Sequence, residues 1–215
     1  MKKLLLKLTL LVMSCTFLLS PIKVGAEENV RIQNPCPSQS AIQLKDDLRR
    51  LWIDHTIWTR NYIISALAGL KDQDKVLARL LKNQDDIGNA IKPYYGEAAG
   101  NKLAKLLREH ILLAGKVVVA AKSGNQANLK KFNKEWYKNA DDIAQFLSSA
   151  NPNWSNDALK DLLYTHLKFV ADEAVARIKK DWDADILAFD KGEDHIIKMA
   201  DTLAEGIIKQ FPNKF

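Results

Sequence analysis

The chain has 215 residues, with 32 basic and 26 acidic side chains, a formal net charge of +6 and an apolar fraction of 47%. Nine Gly and six Pro exclude a low-complexity, collagen-like or turn-dense all-β chain. The charge sits at one end: Lys2, Lys3, Lys7 and Lys23 fall in the first 26 residues, which hold no Asp or Glu, and the rest is close to balanced. The body of the chain therefore carries no electrostatic footprint for a nucleic acid, and no nucleic-acid partner is expected.

Residues 1–26 have a basic start, a Leu-rich centre and the small-residue ending Val24-Gly25-Ala26. These are the parts of a secretory signal peptide, with cleavage expected after Ala26 and export to the cell envelope or the medium. The apolar stretch Leu8 to Leu19 is short for a membrane span, and Val12 is a poor match for the Leu usually found three residues before a lipidated cysteine such as Cys15. No transmembrane helix is expected after cleavage. Residues 27–40 are expected to form an extended arm. They hold Cys36 between Pro35 and Pro37, the one thiol left after cleavage, which cannot form an internal disulfide.

From residue 41 to 215 apolar residues recur at helical spacing, and an all-α, up-and-down antiparallel bundle of about six helices is predicted. Ser38 or Ser40 would cap the first helix, which carries Leu44, Leu48, Leu51, Trp58 and Tyr62 up to the break at Gly69 to Asp72. Asp72 would cap the second, which carries Val76, Leu80, Ile87 and Ile91 and stops at Pro93. Tyr94-Tyr95-Gly96 reads as a turn whose aromatics cover the bundle end. The third helix runs from near Glu97 to Ser123-Gly124-Asn125, and the fourth from Leu129 to Asn151-Pro152. Ser155 would cap the fifth, and after a break at Asp181 to Asp183 the sixth runs to Pro212.

An internal repeat of about 55 residues runs through these helices. Asp54-His55, Glu109-His110 and Thr165-His166 end similar segments, and Asn83-Gln84-Asp85-Asp86-Ile87 resembles Asn139-Ala140-Asp141-Asp142-Ile143. One more half-period brings Glu193-Asp194-His195-Ile196. The unit is a helical hairpin, and three such hairpins fill the mature chain. Every marked residue falls near the middle of its helix, and antiparallel helices of equal length share their midpoints. A mid-bundle polar layer follows, with His55, His110 and His166 in their apolar stripes. Convergent imidazoles and carboxylates suit a transition metal ion such as Zn, Cu or Fe. His55, His110, His166, His195, Asp86 and Asp142 are the candidate metal ligands, with Asn83 and Asn139 as hydrogen-bonding support. Arg60 reads first as a residue of a solvated flank, with pairing to Asp85 or Asp86 as the alternative.

Sharper motifs are absent. Glu three residues before His, as di-iron bundles need, is missing at all four histidines. No H-E-x-x-H, C-x-x-C, phosphate-cradling glycine loop or G-x-S-x-G elbow occurs.

These residues carry a resemblance. Asp54-His55 with Trp58-Thr59-Arg60, Asn83 with Asp86, Gly88 and Asn89, Pro93-Tyr94-Tyr95-Gly96, Glu109-His110, Trp136-Tyr137-Lys138-Asn139-Ala140-Asp141, Asn151-Pro152-Asn153-Trp154, Met199-Ala200-Asp201 and Gln210-Phe211-Pro212 span most of the mature chain. The pattern resembles a family of uncharacterised bacterial secreted all-helical proteins. The resemblance implies the helical fold and export, and no activity.

Three functions are compatible with the residues. The first is an exported helical bundle binding a metal ion or small ligand at the His/Asp/Asn layer. The second is a non-catalytic interaction or structural protein of the envelope, in which the layer only sets packing register. The third is a metal-assisted hydrolase, which requires a pocket open to the layer.

Overall fold

The computed structural model describes residues 37–215. The leader and its cleavage point, Cys15, Cys36 and most of the expected arm lie outside the described residues. Those described form α1 (Gln39–Ala68), α2 (Gln73–Lys122), α3 (Gln126–Ala150), α4 (Asn156–Lys179), α5 (Trp182–Gln210) and a single 3₁₀ turn at Pro212–Lys214, with no strand among them.

The helix starts follow from local chemistry. Side-chain oxygens of Ser38, Asn125, Ser155 and Asp181 accept from the backbone N–H three residues on, filling one of the donors that every helix start leaves open. Ser38, not Ser40, is the first cap, so the bundle begins at Gln39, ahead of the expected residue 41. Asp72 stands at the start of α2 without a cap bond, because its carboxylate accepts from the Ser65 hydroxyl at 2.9 Å.

The sequence predicts two helices parted at Pro93; the structure parts them at Gly96, where α2 breaks into two helical halves and the chain folds back. Pro93 removes one backbone donor but the chain stays helical through Tyr95. The reversal needs Gly96, whose φ of 82° and ψ of 170° lie in a region open essentially to glycine alone. Residues 73–95 and 97–122 then lie side by side. A Cβ built on Gly88 would sit 2.5 Å from the Gly100 carbonyl oxygen, and Arg108 donates to the Leu81 carbonyl at 3.2 Å.

The elements close into a ring: α1 packs on α2 and α5, α2 on α3, α3 on α4, and α4 on α5. One core fills it. Ile63, Leu80, Ile87, Leu167, Ile196 and Ile207 are essentially without exposure, and each such burial contributes about 1.5–3 kcal/mol against an exposed reference. The Pro93 end is closed by aromatics, as the sequence predicts. Tyr94 lies 5.9 Å from Phe211 and 5.7 Å from Phe215, and Tyr95 lies 5.9 Å from Trp154. The Tyr95 hydroxyl donates to Gln210 at 2.8 Å and accepts from the Asn151 amide at 2.9 Å. No described helix is long and apolar enough to cross a membrane.

Candidate functional site, a polar layer inside the bundle

His55 on α1, His110 on α2 and His166 on α4 converge inside the ring. The His166 ring centroid lies 5.4 Å from that of His55 and 6.2 Å from that of His110. All three side chains are buried.

The amides around them fix the tautomers. Asn139 donates its Nδ2 hydrogen to the Leu106 carbonyl at 3.1 Å, so its Oδ1 is an acceptor, and the His110 Nδ1–H donates to it at 2.8 Å. The lone pair of His110 Nε2 then accepts from the Trp136 indole N–H at 3.1 Å. Gln84 donates to the Leu80 carbonyl at 2.8 Å and to Asn83 Oδ1 at 3.1 Å, so its Oε1 accepts from His55 Nδ1–H at 3.2 Å. Asn83 donates to the Leu51 carbonyl at 2.9 Å. The ring nitrogens of His166 have no hydrogen-bond partner among the described residues. Burial holds all three rings neutral. It lowers His55 to about 3, with the His110 ring adding to the effect, lowers His110 to about 4, and depresses His166 well below the ordinary imidazole value.

His195 on α5 is half-buried beside the layer, and its Nε2–H donates to the Leu162 carbonyl at 2.8 Å. Asp86 and Asp142 are not brought into the layer. Each pairs with the lysine one turn earlier on its own helix, Lys82 and Lys138, on outward faces. The sequence stripe placed Asn83 and Asn139 correctly, but three residues on the helix turns 300°, which carries Asp86 and Asp142 off the buried face. Among the described residues no group of three or more His, Cys, Asp or Glu side chains is placed to hold a metal ion.

The residue missed by the sequence reading is Gln84, the partner of His55. The signal was present as an interval: 29 residues separate His55 from Gln84 and His110 from Asn139. The motif alignment matched Asn83 to Asn139 instead, and so skipped its neighbour.

The layer is shut. Trp52 meets the His55 ring edge-on at 5.5 Å and Trp136 lies 5.4 Å from His110, both buried. Trp58 plays no part in this, since it is half-buried under the Arg79 guanidinium at 5.0 Å. On the Pro93 side lies an apolar space of about 20 Å³ among Leu48, Trp52, Leu107, Leu163 and Met199. Grooves lined by Tyr62 and Lys116, by Asn101 and Arg108, and by Arg50 and Arg79 each have no layer histidine in their lining.

A second buried polar cluster ties α1, α4 and α5. Arg60 does not reach Asp85 or Asp86. Its guanidinium donates to Glu173 at 2.8 Å and to both Asp185 oxygens at 3.0 Å, while Arg177 donates to Asp185 at 2.6 Å. Asp85 is held instead by Arg108 at 3.2 Å. Five residues beyond His55, Arg60 faces α4 and α5, whereas Asp85 lies on α2. Burial pushes the Glu173 carboxyl up to about 7 against the pull of Arg60.

Comparison of the chain with protein-family models, with curated proteins and with solved structures finds no match.

Proposed function

We propose that this is a non-catalytic helical scaffold, exported to the cell envelope or beyond, whose His/amide layer sets the register of its helices. One observation carries it: three times, a side chain on one helix donates to the carbonyl of the residue four before a layer histidine on the neighbouring helix. The donors are Asn83 to Leu51, Asn139 to Leu106 and His195 to Leu162. A helix carbonyl that accepts such a bond pins two helices at one height, as a buried polar residue does in a coiled coil. The recurrence supports descent from three copies of one hairpin. Export rests on the leader sequence, and kinship with the secreted helical family rests on the shared motifs.

In this reading the layer binds no metal, because the His110 Nε2 lone pair already accepts the Trp136 indole N–H and the carboxylates of Asp86 and Asp142 are paired with lysines elsewhere. A hydrolase would need an opening to the layer. Outward-facing Trp182, Ile186 and Leu187, each about half exposed, supply apolar surface for contacts instead. The test is elemental analysis of untagged protein together with melting curves in Zn, Cu, Fe and Mn. The expected result is sub-stoichiometric metal and unchanged melting. A metal retained one-to-one, with loss of stability on chelation, would overturn the scaffold reading and restore a binding site.

A further inference from the structure

A surface groove of about 430 Å³ runs between α1, α2 and the start of α3, within the size range of small-ligand sites. Leu112, Gly115, Lys116 and Val119 follow one another at helical spacing along its edge. Leu112 and Val119 are 46% and 54% exposed, while Ile111 forms a buried floor. A lone exposed Leu needs no explanation, but here the apolar stripe surrounds two unpaired polar groups. The first is the Tyr62 hydroxyl. Tyr62 is 6% exposed, lines the groove, and its hydroxyl has no hydrogen-bond partner among the described residues. It reaches the groove over Gly115, where any Cβ would come within 2.9 Å of it. The second is Lys116, the next residue. Lys105, Lys138 and Lys168 each have a carboxylate one turn away, whereas Lys116 has none among the described residues and stands 5.5 Å from the Phe132 ring centroid. Lys131 approaches the same ring at 5.6 Å. Burial first, and then the charge of Asp74, raise the Tyr62 pKa, so Asp74 is an acidic group that bears on this site.

We propose that the groove binds an amphipathic anion, an aliphatic carboxylate whose tail lies along Leu112, Ile111 and Val119. Its head accepts a hydrogen bond from the Tyr62 hydroxyl and meets the Lys116 ammonium. A cation would face two ammonium groups, and an uncharged chain would leave Lys116 without a partner. The site lies apart from the polar layer, and its existence does not depend on the scaffold reading.

Isothermal titration of the full chain with decanoate tests this, with decyltrimethylammonium and decanol as comparison ligands. Decanoate is expected to bind saturably, one per chain, with the cation and the alcohol at least about tenfold weaker, one charged contact being of that order. Lys116→Glu should weaken decanoate about tenfold or more and admit the cation, and Val119→Glu should abolish decanoate binding. Both residues are exposed, so both variants keep the parent's circular dichroism. Tyr62→Phe should cost a few-fold. No saturable decanoate binding, equal binding of the cation, or unchanged affinity in both charged variants would each overturn the proposal.

Discussion

At the scale of single residues, the three layer histidines differ in what they hold. His110 satisfies two neighbours, so His110→Leu strands the Trp136 indole N–H and the Asn139 carbonyl oxygen inside the core. A cost of about 1–3 kcal/mol is expected, read as a lower urea midpoint. His166 satisfies no described group, so His166→Leu should be neutral or stabilising by the same measurement. Equal losses at both sites would contradict the hydrogen-bond assignment. The pH dependence follows from protonation. The folded rings sit below the ordinary imidazole value of 6.5, so the unfolded chain binds more protons once pH drops below it. Their contribution is complete above pH 6.5 and is lost as pH falls toward 4 and 3, about 3 kcal/mol at His110 alone. Glu173 acts oppositely, because its folded carboxyl, raised to about 7 from 4.5, keeps its proton longer than the unfolded one. The urea midpoint should therefore fall between pH 7 and pH 5, and Glu173→Gln should steepen that fall. The histidines were legible in the sequence because each sits in an apolar stripe. Their partners were only half legible, since an amide's choice between two adjacent positions depends on helix rotation, and Asp86 and Asp142 differ from core residues by that rotation alone.

At the scale of helices, boundaries were readable wherever a capping side chain or a glycine marks them, as at Ser155, Asp181 and Gly69. The turn expected at Tyr94-Tyr95-Gly96 contains the glycine that makes the reversal, but the helix before it was ended too early, because proline announces a break that Gly96 actually makes. What the sequence does not express is how closely two helices approach. Gly88 and Gly100 let the two halves of α2 touch backbone to backbone, with less than 3 Å available for any Cβ. Alanine in place of a mid-helix glycine ordinarily stabilises by about 1 kcal/mol. Gly88→Ala should instead destabilise by about 1–3 kcal/mol in thermal or urea unfolding, and a gain in stability would mean that the halves can separate at little cost.

At the scale of the molecule, closure of the ring depends on contacts between the first helix and the last two. Arg60 with Glu173 and Asp185 is the buried part of that seam, and the exposed part is Lys45 with Glu205 and Arg49 with Asp201. Asp185→Asn removes the charge that two guanidinium groups share at 2% exposure, and a loss of about 3–5 kcal/mol is expected in chemical denaturation. Lys45→Ala should change little, as exposed pairs do. None of this seam was visible in the chain, because its partners are more than a hundred residues apart and Arg60 reads in sequence as a solvated flank.

Because α1 begins beside the place where α5 ends, as the pairs Lys45–Glu205 and Arg49–Asp201 require, the order in which the helices are strung is separable from the way they pack. A circular permutant joining residue 215 to residue 37 through a short flexible link, and opened at the exposed Gly124, should fold to the same helical content. The ring then has no privileged first helix.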